Sequence, residues 1–90
     1  MVKYKVSIGI VDILEKGKCP SGHVIGEKFE YPEERGKICP AAFHSIYPYL
    51  RVMESGGSFP WFDEPNAHSV CCSDYKNPVV FKISRKKVAE

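Results

Sequence analysis

Residues 39–57 read CPAAFHSIYPYLRVMESGG, and this stretch decides the fold. Phe43, Ile46, Tyr47, Leu50 and Met53 recur at the i, i+3, i+4, i+7 spacing of one helix face. Pro40 suits the first helical position, where its missing N–H would be unpaired anyway, and Gly56-Gly57 supplies the stop. Pro48 lies inside the run, where it removes one hydrogen bond and presses on the carbonyl of His44, so a kink or two short helices are expected.

Outside this stretch the apolar period is two. Val2, Tyr4, Val6, Ile8 and Ile10 share one face of a half-buried strand over residues 2–13, which Glu15-Lys16-Gly17-Lys18 ends. Cys19-Pro20-Ser21-Gly22 has the residue order of a type I turn. A short strand is expected at Lys28–Tyr31, followed by the charged loop Pro32–Gly36. Beyond the helix come the stiff Phe59-Pro60-Trp61-Phe62, a loop at Asp63–Asn66, a strand at His68–Cys72, a turn at Ser73–Pro78 and a closing strand at Val79–Ser84. One helical segment among strands with short connections predicts an α+β architecture: a small, mainly antiparallel sheet with one kinked helical segment packed on it.

The 90 residues make one domain, 1–90, with 43% hydrophobic and 27% charged residues, an ordinary globular composition. A chain of this size buries only roughly 60% of its unfolded surface, so a metal, a cross-link or a homo-oligomeric partner would add useful stability. The net charge of +2 lacks the dense positive field of a nucleic-acid binder, and no nucleic-acid partner is expected. Arg85-Lys86-Lys87, the one basic cluster, reads as a solvated C-terminal tail. Charges interrupt every apolar run of the N-terminus, and no run approaches a membrane span. A cytoplasmic protein is expected, in a compartment where clustered cysteines signal metal or redox chemistry more often than structural disulfides.

The cysteines stand at 19, 39, 71 and 72, and no Cys-x-x-Cys pair exists, which weighs against zinc ribbons and thioredoxin-like centres. Cys39 precedes the helix, so free N–H groups and the positive end of the dipole favour its thiolate or an anionic cluster. His23 stands four residues from Cys19 across the turn, either as a second ligand or as a polar loop residue. His44 reads as core-edge packing and His68 as a strand residue. Neighbours on a strand point to opposite faces, so only one of Cys71 and Cys72 can face a shared site, and alternation places Cys72 with Val70 toward the core. Phe59–Phe62 reads as core, or as an apolar shield over a redox site.

Cys19-Pro20-Ser21-Gly22-His23 with Gly26 and Phe29, Gly36-Lys37-Ile38-Cys39-Pro40-Ala41-Ala42, Ile46-Tyr47-Pro48, Gly56-Gly57-Ser58-Phe59-Pro60-Trp61, and Cys72-Ser73-Asp74 before Asn77-Pro78-Val79-Val80-Phe81 form an ordered series over nearly the whole chain. The series resembles a family of small uncharacterised proteins of about this length, found in anaerobic bacteria and archaea. The resemblance implies three recurring cysteines, here Cys19, Cys39 and Cys72, with Cys71 an extra. The family usually has Pro where Ser73 stands, so the turn after Cys72 differs in detail.

Three thiols on three elements of a small domain lead to the expectation of an iron–sulfur protein with one [4Fe–4S] cluster on Cys19, Cys39 and Cys72, the fourth iron being open or held by His23. Its work would be electron transfer to a redox partner protein, or binding of a small ligand at the open iron. The alternative is a zinc-stabilised structural or interaction module on the same residues. A thiol enzyme with Cys39 as nucleophile is a third reading, and no positioned base supports it.

Overall fold

β1 (Lys3–Ile13) forms because its apolar residues alternate, and in the computed structural model, which describes residues 3–15 and 18–89, Val6, Ile8 and Ile10 are all buried on one face. Val2 and the Lys16-Gly17 step lie outside the described residues. A register shift between Ile10 and Asp12 marks a bulge, which lets Ile13 turn inward as well. β2 (Lys28–Tyr31) follows, then a single 3₁₀ turn at Arg35–Lys37 and the helix α1 (Pro40–Glu54). β3 (Ala67–Cys71) and β4 (Val79–Ala89) complete a four-stranded sheet of order β2-β1-β4-β3, with every pair antiparallel. The fold is α+β, one helix on one face of a small antiparallel sheet.

The core lies between that face and the helix. Ile46, Leu50 and Met53 of α1 are fully buried and Ala42 nearly so, and they pack over Phe29 and Tyr31 of β2, Val6, Ile8 and Ile10 of β1, and Val79, Phe81 and Ile83 of β4. The helix is rotated from the expected face: Ala42 enters the core, while Phe43 is half-buried and Tyr47 exposed. Phe43 instead meets Tyr47 and Tyr31 with tilted rings, at 5.4 and 6.2 Å between ring centroids, along the flank facing β2. His44 is exposed rather than packed at the core edge. The helix runs unbroken through Pro48 and stops where Gly56 adopts φ +88°, a conformation that costs glycine no side-chain clash.

The basic cluster is no loose tail. β4 continues through Arg85, Lys86 and Lys87, paired with Val6, Lys5 and Tyr4 of β1. The Arg85 guanidinium donates to the carbonyls of Met53 and Gly57, where the helix ends, and to Asn66 Oδ1 at 3.1 Å, and it lies 4.7 Å from the centroid of the Tyr4 ring. A cation at a helix C-terminus meets the negative end of the dipole and the orphan carbonyls together.

Candidate functional site

A pocket of about 210 Å³ opens beside the first turn of α1, and Cys19, Cys39 and Cys72 all line it. Three elements deliver them. Cys19 begins a turn closed by the Gly22 N–H on the Cys19 carbonyl at 3.0 Å, with Gly22 at φ +89°. Cys39 is the N-cap of α1, its carbonyl already accepting the Phe43 N–H at 2.8 Å. Cys72 follows the last residue of β3 and exchanges backbone and sulfur contacts with Val79: its N–H donates to the Val79 carbonyl at 3.0 Å, and its sulfur accepts the Val79 N–H at 3.3 Å. Ala41 and Ala42 contribute small walls, and Ser73 and Asp74 also line it.

The environment of Cys39 favours the anion. The Ser21 hydroxyl donates to its sulfur at 3.3 Å. That bond, followed by the Ala42 and Ala41 amides at the open end of the helix, holds the thiol below its ordinary pKa against the opposing effect of partial burial. Cys71 contrasts with it on every count. It is exposed on the far face of the sheet, opposite Val80 of β4, while partial desolvation of its sulfur and then the neighbouring Cys72 raise its pKa. Opposite faces for the two neighbours follow from strand alternation, with Val70 and Cys72 both packed against the core.

His23 is buried, 8% exposed, and both ring nitrogens are engaged. Nε2 accepts the backbone N–H of Cys39 at 3.0 Å, so Nδ1 carries the proton and donates to Glu27 Oε1 at 2.9 Å. The His23 bond, and then the Val24 N–H at 3.0 Å, hold the Glu27 carboxyl below the usual range. The ring also meets Phe29 and Phe81 edge-on, with centroids 5.8 and 6.3 Å away. The expectation that His23 fills a fourth iron position does not fit this arrangement, because no lone pair is left to offer; its geometry is that of a strut between the Cys19 turn and the helix start.

Among the described residues no three His, Cys, Asp or Glu side chains stand close enough to share a single metal ion.

Phe59–Phe62 does not shield the thiols, as none of the four residues lines their pocket. Phe59 and Phe62 instead join Tyr49 and His68, with Phe62 and His68 stacked at 3.9 Å, while Trp61 lies against Phe59 at 4.6 Å and stays 60% exposed. The Ser21 hydroxyl and the Val79 N–H, which donate to the Cys39 and Cys72 sulfurs, are the groups at this pocket that sequence reasoning passed over. Ser21 was within reach of it, standing two residues after Cys19; the Val79 amide carries no sequence signal. Comparison with family models, with curated proteins and with solved structures gave no match.

Proposed function

We propose that the chain is a small iron–sulfur protein that holds one [4Fe–4S] cluster through Cys19, Cys39 and Cys72, with the fourth iron left open to a small ligand. The observation that supports this reading is the convergence of the three thiols on one pocket, two of their sulfurs already accepting hydrogen bonds from Ser21 and Val79. Thiolates are the ligands such clusters use, and hydrogen bonds to sulfur are among the means by which proteins set their potential. A cluster would supply Lewis-acid or one-electron chemistry at the pocket. The chain's own part is to hold the sulfurs, with His23 bracing Cys39 and the start of α1 stabilising negative charge. Engagement of both His23 nitrogens favours ligand binding at an open iron over pure electron transfer.

Anaerobic reconstitution with ferrous iron and sulfide tests this. The expected product is brown, with about four irons and four acid-labile sulfides per chain. It should also show spectral changes on adding cyanide, a small ligand for an open iron. A colourless product that retains zinc, or retains no metal, would overturn the reading; a brown product indifferent to cyanide would make the protein an electron carrier.

A further inference from the structure

We propose that the open face of the sheet carries a second binding site, a groove floored by Gly9 and walled by Lys28 and Lys82, that takes a small phosphate-bearing molecule. It lies across the sheet from the pocket of Cys19, Cys39 and Cys72 and is independent of the cluster reading. In the strand register Gly9 stands directly between Lys28 of β2 and Lys82 of β4. Residues opposed in antiparallel strands project to the same side, so both lysines rise on either side of a position without a side chain. Neighbouring strands lie about 4.8 Å apart, which places the two lysine Cα atoms roughly 10 Å from each other. The resulting groove measures about 370 Å³.

Neither backbone nor packing demands glycine there. Gly9 is not among the residues with positive φ, and a Cβ built on it would meet only the Glu27 carbonyl, at an ordinary 4.0 Å. Glycine inside a strand weakens it, and a recurrent reason for one is close approach of a ligand to the backbone. The charges agree. Lys5 is paired with Glu33, and Glu30 at one end of the groove accepts the Ser7 hydroxyl at 2.7 Å. Lys28 and Lys82 have no ion-pair partner among the described residues. The groove lining therefore carries two cationic side chains against the one carboxylate of Glu30, with Asp63 and Glu64 in the adjoining pocket that Lys82 also lines, and half-exposed Val11 suits an organic moiety. A tetrahedral phosphate offers oxygens to both walls at once, whereas a single carboxylate presents its two oxygens to one side.

The test is a titration of isotopically labelled protein with inorganic phosphate at constant ionic strength, followed by amide chemical shifts. Saturable shifts are expected at Gly9 and its neighbours in β1 and β4, with none from chloride. Lys28→Gln and Lys82→Gln should each weaken binding roughly two- to fivefold, the range of exposed charge pairs. Gly9→Val has room for its Cβ and suits a strand, so it should abolish the saturable shifts with the rest of the amide spectrum native; Gly9→Ala, the gentler change, should weaken them. Shifts that fail to saturate, that centre on the thiol pocket, or that persist unchanged in a folded Gly9 variant would overturn the proposal.

Discussion

At its C-terminal end α1 hands the Met53 carbonyl to Arg85, and Tyr49, one turn earlier, packs among Phe59, Phe62 and His68. At its N-terminal end the same helix turns its free amides toward the Cys39 sulfur, and Ala41 and Ala42 leave space where larger side chains would fill it. One end has its orphan carbonyls taken up by side chains and its volume filled; the other directs its first amides at a thiol and borders an open pocket. On the proposed function, the difference would separate stability from chemistry along a single 15-residue element.

If that division holds, changes at the two ends should have effects of different kinds. The largest loss of stability is expected for Met53→Ala at the filled end, about 3 kcal/mol by urea unfolding, because a fully buried side chain leaves a cavity. The rate at which Cys39 is alkylated under native conditions should not change. His23→Ala should cost about 2 kcal/mol, since it leaves the Cys39 N–H without an acceptor and removes a ring packed on Phe29 and Phe81. Unlike the first variant it should also reduce iron retention after reconstitution, through loss of the strut rather than of a ligand.

The thiols themselves allow a finer comparison in the metal-free protein. A lowered pKa means that the thiolate persists to lower pH, so the iodoacetamide profile of Cys39 should rise on the acid side of an ordinary thiol and that of Cys71 on the alkaline side. Ser21→Ala should move the Cys39 profile toward alkaline pH, with a stability change within about 0.5 kcal/mol. A Cys39 profile that coincides with that of Cys71 would erase the electrostatic distinction between the two. The smallest effect belongs to Gly9→Ala, a gain of about 0.5 kcal/mol at a strand position with room for the methyl group.

Local patterns made much of this legible. Alternation marks β1, and β2 at Lys28–Tyr31 and the start and stop of α1 stand where proline, glycine and apolar spacing put them. Strand parity separates Cys71 from Cys72. The losses came from contacts distant in sequence. Ala42 takes the core position expected for Phe43, which hydrophobicity alone ranks higher. Arg85–Lys87 looks like a tail because charge dominates its composition; pairing with the start of β1 makes it a strand. The occupation of His23 depends on an amide 16 residues away, which no spacing within the turn could reveal.

Iron and acid-labile sulfide analysis of the two neighbouring cysteine variants, reconstituted anaerobically beside the native chain, tests the central claim most directly. The sulfur of Cys72 lines the pocket and that of Cys71 lies across the sheet. Cys71→Ser should therefore retain about four irons and four sulfides per chain, as the native protein does, and Cys72→Ser should lose most of both. Retention by Cys72→Ser with loss in Cys71→Ser, or equal retention in both, would contradict a cluster held by Cys19, Cys39 and Cys72.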